Sequence, residues 1–104
     1  MGEQRWGGHA MAYSADDINW VYDRTGGRCL YCGKRLSFHN YGVVGTHGAW
    51  EVDHFIPLAS NGAHQHYNLV AACVGCNTAK SDMLPWEFGP GRFRQGDRDP
   101  SNYI

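Results

Sequence analysis

Two cysteine pairs, and a few nitrogen- and oxygen-bearing side chains between and just after them, carry the chemistry open to this sequence. The cysteines fall as Cys29-Leu30-Tyr31-Cys32 and Cys73-Val74-Gly75-Cys76, with residues 33–72 between the pairs and no other cysteine in the chain. A two-residue gap lets one tight turn present both sulfurs to the same ion. Thiolates are soft ligands, so two such pairs suit a tetrahedral four-thiolate structural Zn²⁺ site. A single pair would also suit a redox dithiol. Two disulfides would be out of place in a reducing cytosol.

Among and just after these cysteines lie Asp53-His54, Asn68 and Asn77. Hydrolysis of a phosphodiester needs an activated water, neutralised charge at phosphorus and a stabilised departing 3′ oxygen. A histidine titrating near neutrality serves the first need, and a hard cation on oxygen ligands serves the other two. Asp53 and Asn77 are oxygen donors of the kind that Mg²⁺ or Mn²⁺ takes while keeping positions for water and phosphate. Singly, these residues are ordinary: Asp-His pairs end many polar strands, and asparagines fill turns and caps. Their joint occurrence among zinc-type cysteines is what points to a nuclease site.

Few elements are needed to position them. Ser14-Ala15-Asp16-Asp17 reads as a helix start with a capping box; Ile18, Val21 and Tyr22 then share one face, and Gly26-Gly27 ends the helix. Residues 35–38 read as a short strand, and the glycine-punctuated residues 39–48 as a loop or hairpin. Trp50-Glu51-Val52-Asp53-His54 alternates as a half-buried strand does, and Asn68-Leu69-Val70-Ala71-Ala72 is a second strand running into the cysteine turn. Residues 76–83 read as a short helix stopped by Pro85. Strict alternation sends Asp53 and His54 to opposite faces, so an end, twist or bulge is expected near residue 53. The domain is expected to span 13–88, between a flexible N-terminal segment (1–12) and a Gly/Pro/Arg-rich tail (89–104).

At 104 residues with 14 glycines, the chain reads as one small loop-rich domain that needs a staple. A formal net charge of −1 gives no overall basic excess to attract a polyanion. Arg28, Lys34 and Arg35, and later Arg92, Arg94 and Arg98, form only local clusters. No apolar run approaches the roughly 20 residues of a membrane span, and Met1 to Ala12 lacks a signal-peptide core. The expected location is therefore cytoplasmic.

The run from Trp50 to Leu58, then Tyr67-Asn68-Leu69, then Cys73-x-x-Cys76-Asn77-x-x-Lys80, preceded by the first cysteine pair, resembles the HNH (ββα-metal, His-Me finger) endonuclease family. The resemblance covers roughly residues 28–82. It implies an α+β fold: an N-terminal helix on a small zinc-stapled ββα-metal core. It also implies roles. His54 would be the general base, Asp53 and Asn77 the ligands of a catalytic Mg²⁺ or Mn²⁺, and Asn68 the residue that holds the His54 loop. Asn77 stands where the third name-giving histidine often stands. The chain is thus a His-Asn-Asn variant, as is the HNH domain of RNA-guided nucleases, with a harder ligand set.

Lys80, one turn beyond Asn77, is expected at a DNA phosphate, together with Arg92 and Arg94. His64 and His66 are the remaining histidines expected nearest the site. The implied reaction is hydrolysis of double-stranded DNA to 5′-phosphate and 3′-hydroxyl ends, one strand nicked at a time. A monomer or weak homodimer is expected, of phage or mobile-element origin and working beside a larger DNA-processing complex. The alternative is a noncatalytic zinc module that binds nucleic acid or protein. That reading explains the cysteines but leaves Asp53, His54 and Asn77 without a purpose.

Overall fold

The first described element, helix α1 (Ala15–Arg24), starts where its capping box dictates. The Ser14 hydroxyl accepts the Asp17 N–H at 3.1 Å, and the Asp17 carboxylate accepts the Ser14 N–H at 3.3 Å. Two of the orphan donors at the helix start are satisfied reciprocally in this way. Val21 is fully buried from this helix and Ile18 and Tyr22 pack beside it, while Gly26 and Gly27 follow the helix end with positive φ. The computed structural model describes residues 13–88. The N-terminal segment and the tail, with Arg92 and Arg94, lie outside the described residues.

Strands β1 (Trp50–His54) and β2 (Leu69–Cys73) pair antiparallel, from Trp50 opposite Cys73 to His54 opposite Leu69. All five residues of β2 are buried. On the sequence side this strand is Leu-Val-Ala-Ala-Cys, small and apolar, which lets other elements close over it. The first cysteine turn docks there through Leu30 N–H to Ala71 O at 3.0 Å, and α1 packs against the same strand. Trp50, Tyr31, Phe55, Leu30, Val21 and Val70 fill the interior, each contributing roughly 1.5–3 kcal/mol by leaving water. Tyr22, Phe38 and Tyr41 put their rings against Trp50, whose indole N–H is donated to Phe38 O at 3.2 Å.

Helix α2 (Val74–Lys80) leaves directly from β2, and its N-cap is a cysteine: the Cys73 sulfur accepts the Cys76 N–H at 3.4 Å. α2 packs on both strands, and α3 (Pro85–Phe88) packs on α2. Strand, loop, strand and helix thus form a ββα unit, with α1 on one side and the first cysteine turn closing over it. Among the described residues no helix is long and apolar enough to cross a membrane.

The structure departs from the sequence reading in three places. Residues 35–38 do not form a strand. Leu36 N–H goes to Gly27 O and Ser37 N–H to Gly48 O, two different loops, so only a single bridge at Arg35 and a 3₁₀ turn at Phe38–Asn40 result. β2 begins one residue later than expected, because Asn68 belongs to a 3₁₀ turn, His66–Asn68. α2 is set two residues earlier by its cysteine cap and ends at Lys80; Pro85 opens α3, where its missing N–H costs nothing. Near residue 53 the strand ends, one of the outcomes expected there: the pairing keeps register to His54, the last residue of β1, and Phe55 N–H reaches Asn68 O at 2.8 Å.

Candidate active site

The four cysteine sulfurs lie within 4.8 Å of one another, and those of Cys32 and Cys73 are 3.9 Å apart. Four sulfurs at ~2.3 Å from one zinc stand about 3.8 Å from each other in a tetrahedron, so the cluster has the dimensions of a closed zinc site. Its electrostatics agree. Burial, and then the nearby thiols, push Cys29 up to about 11 and Cys76 higher still. Cys73 is held below the ordinary thiol range because, against burial, the Cys76 N–H and neighbouring thiols donate to it. A divalent cation resolves this crowding by stabilising every thiolate at once. The residues present therefore fit zinc.

β1 carries Asp53 and His54 at its C-terminal end, at the edge of this unit. Asp53 is buried. Its Oδ2 accepts the Tyr31 hydroxyl at 2.5 Å and lies 3.2 Å from Lys80 Nζ. Lys80 is fully buried as well; its ammonium also donates to His54 O at 3.2 Å and sits 5.7 Å from the centre of the Tyr31 ring. Burial pushes the Asp53 carboxyl up, while Lys80, the Tyr31 hydroxyl and the His54 N–H pull it down. Burial, and then Asp53, raise the Tyr31 phenol far above its usual value, so the hydroxyl remains a donor. The expected Lys80–phosphate contact gives way here to a buried ion pair.

His54 is half-buried, and its Nε2 lies 2.9 Å from His64 Nδ1. Burial, with His64 and Lys80 adding to it, lowers the His54 pKa to about 4, so the imidazole is neutral at neutral pH. His64 is lowered too, chiefly by burial. Of the two histidines expected near the site, His64 therefore touches His54. His66 instead meets Asp17 of α1, Nε2 to Oδ1 at 2.6 Å, and stacks on Trp20.

Asn68 is 1% exposed and anchors the loop between the strands. Its Oδ1 accepts Ile56 N–H at 2.8 Å, and its Nδ2 donates to Ile56 O at 2.9 Å and Ala63 O at 2.8 Å. The loop is tight enough to require glycine at position 62, where a Cβ would fall 1.8 Å from Ile56 O. From outside, Arg24 Nη1 ties α1 to the loop by donating to His66 O at 2.7 Å and Leu69 O at 3.0 Å.

Asn77 lies on α2 one turn before Lys80, so both share the helix face that meets β1. Its amide is half-buried and makes no hydrogen bond among the described residues. The carboxylate on β1 and the amide on the helix packed against that strand are oxygen donors of the kind a hard cation takes. Sequence reasoning missed Tyr31 and Arg24. A phenol set between two zinc-type cysteines was a usable signal for the first; nothing local marks the second.

The HNH endonuclease family profile matches residues 29–83. The CRISPR-associated endonuclease Cas9 of Actinomyces naeslundii is 36% identical over 55 residues, covering 52% of this chain and 4% of that protein. The CRISPR-associated endonuclease Cas9 1 of Streptococcus thermophilus is 30% identical over 67 residues, covering 64% of this chain and 6% of that protein. The crystal structure of the Type II-C Cas9 enzyme from Actinomyces naeslundii superposes with a TM-score of 0.58 at 26% identity, over 81% of this chain and 9% of that one. This chain thus spans less than a tenth of the length of each of these relatives. With its family profile spanning more than half the chain, from the first cysteine of the zinc-type cluster to just past Lys80, this protein belongs to the HNH endonuclease family.

Proposed function

We propose that this chain hydrolyses phosphodiester bonds of double-stranded DNA, nicking one strand at a time, with Mg²⁺ or Mn²⁺ held by Asp53 and Asn77. The observation that carries the reading is the place of the His54 imidazole: half-buried, 2.9 Å from His64 Nδ1 and set one residue after a buried carboxylate. In the tautomer where Nε2–H is donated to His64 Nδ1, Nδ1 is the nitrogen that takes a proton from water. Asn68 keeps the loop after His54 from swinging, which fixes the ring relative to the scissile bond. A bound divalent cation supplies charge neutralisation at the phosphate. The nuclease unit is residues 13–88, and Arg92 and Arg94 beyond it are proposed phosphate contacts. The same reading takes the chain to be intracellular, a monomer or weak homodimer, and of phage or mobile-element origin.

The test is supercoiled plasmid incubated with the zinc-loaded protein and either Mg²⁺ or Mn²⁺, with His54→Ala alongside. Open-circle DNA from the wild type alone is the expected result. Zinc-loaded, DNA-binding protein that leaves plasmid intact with both metals would instead establish the noncatalytic zinc module.

A further inference from the structure

Tyr31 occupies an unusual place: it stands between two residues of the zinc-type cluster, Cys29 and Cys32, and its hydroxyl reaches the carboxylate of Asp53. We propose that Tyr31 is a positioning residue that ties the catalytic-metal carboxylate of Asp53 to the zinc knuckle, setting its rotamer before any cation binds. This rests on the reading of Asp53 as a metal ligand.

Three observations carry it. The contact is short, 2.5 Å, and both side chains are buried, so water cannot substitute for the phenol. The ring itself is fixed: it stacks on Phe55 with planes 3° apart and meets Phe88 edge-on, so the hydroxyl has one place to point. Tyr31 and Lys80 both engage Oδ2, which constrains the plane of the carboxylate. The backbone on either side of Tyr31 belongs to the cysteine turn, closed by Gly33 N–H to Cys29 O at 2.9 Å and docked on β2 by Leu30. Order imposed by zinc on that turn is thereby passed to Asp53 through one side chain. Groups that orient metal ligands in this way typically change metal affinity 10–100-fold when removed.

The experiment uses the zinc-loaded full chain without DNA. Mn²⁺ binding is followed by electron paramagnetic resonance for the wild type, Tyr31→Phe and Phe55→Leu. Tyr31→Phe is expected to keep its zinc and to bind Mn²⁺ about 10-fold more weakly. Phe55→Leu, which loosens the same packing without touching Asp53, is expected to lose stability but not Mn²⁺ affinity. Folded, zinc-loaded Tyr31→Phe with Mn²⁺ affinity within about twofold of wild type overturns the proposal. Should that variant not fold, the wild type decides. Its Tyr31 hydroxyl proton, slow to exchange and downfield in the proton spectrum, shifts on saturation with Mg²⁺ if the phenol holds a metal ligand. A resonance that stays in place overturns the proposal. Wild-type protein that binds no Mn²⁺ overturns both this proposal and the metal site it rests on, whereas unchanged affinity in Tyr31→Phe removes the role of Tyr31 alone.

Discussion

Lys80 Nζ stands 3.2 Å from Asp53 Oδ2, with the lysine side chain wholly out of water and the carboxylate nearly so. Two opposite charges share one dry site, and each is the main reason the other can be there. Removing one partner of such a pair typically costs 3–5 kcal/mol, because the survivor is left charged and uncompensated. Lys80→Met is therefore expected to destabilise the domain by about 3–5 kcal/mol, read by denaturant unfolding of the zinc-loaded protein. Lys80→Met combined with Asp53→Asn removes both charges and should regain most of that stability while remaining inactive. A double variant no more stable than Lys80→Met would show that the pair is not what couples the two positions.

Asn68→Ala tests the loop anchor. Three hydrogen bonds from a side chain that is 1% exposed would be lost, leaving Ile56 N–H and two carbonyls without their partner. The expected cost is about 3 kcal/mol of stability. Cleavage should fall as well, because the loop carries His64 and follows His54 directly. Unfolding and nicking measured on the same preparation check both; unchanged nicking in a destabilised variant would confine Asn68 to a structural part.

How much of this was legible in the chain differs by residue. The α1 capping box, both strands and the cysteine cluster were readable because each depends on local spacing: Ser14 with Asp17, apolar alternation in Trp50–His54, two residues between each cysteine pair. Residues 35–38 were misread because an apolar–polar run does not say whether one partner strand exists, and here the donors go to two loops. Lys80 is expected at a DNA phosphate from its place one turn beyond Asn77, whereas the fold buries it. Its burial follows from Asp53, 27 positions earlier, and only the fold brings the two together. Tyr31 was passed over for a similar reason: its partner Asp53 lies on another element. His64 was legible only as a neighbour in sequence; its contact with His54 depends on α1, through Arg24 and Asp17, holding the loop in place.

Zinc removal should do more than silence the protein. The cluster joins the first cysteine turn to the start of α2, and α2 carries Asn77 and Lys80. Without the ion, four crowded sulfurs retain no common ligand, and metal binding energy is folding energy in sites of this kind. Strong chelation is expected to abolish the near-ultraviolet circular dichroism of the buried tryptophan and tyrosines together with activity. Restoring Mg²⁺ alone should recover neither. Folded protein after complete zinc loss, confirmed by elemental analysis, would contradict this.

His54 gives a pH signature of its own. Its folded-state pKa of about 4 lies below the ordinary 6.5, so as pH falls the unfolded chain takes up this proton first. Its contribution is full above pH 6.5 and declines between 6.5 and about 4. The ring is partly solvated, and after allowance for screening the loss is about 1 kcal/mol. His54→Ala should therefore show a shallower fall in stability from pH 6.5 to 5 than wild type, by urea titration at each pH. At neutral pH the same variant should fold and lose a factor on the order of 10²–10⁴ in cleavage rate. Near wild-type nicking would move the base to another ring, with His64, already in contact, the first to test.

The remaining prediction concerns the order of products. Each chain offers one His54, and one set of metal ligands in Asp53 and Asn77, so one chain can attack one strand at a time. The strands of a duplex run antiparallel, and a single site must reorient, or be duplicated by two-fold symmetry, to cut the second. Supercoiled plasmid is thus expected to pass to open circle first, with linear DNA following later or only at high protein concentration. The measurement is a time course of the three forms at several protein concentrations, with sedimentation of the free protein beside it. A rate of open-circle formation first order in protein, from a chain that sediments as a monomer, is the expected outcome. Linear DNA appearing without an open-circle stage, from a protein that sediments as a dimer, would instead require two His54 sites acting together on opposite strands. The His54 assignment would stand, and the nicking of single strands would not.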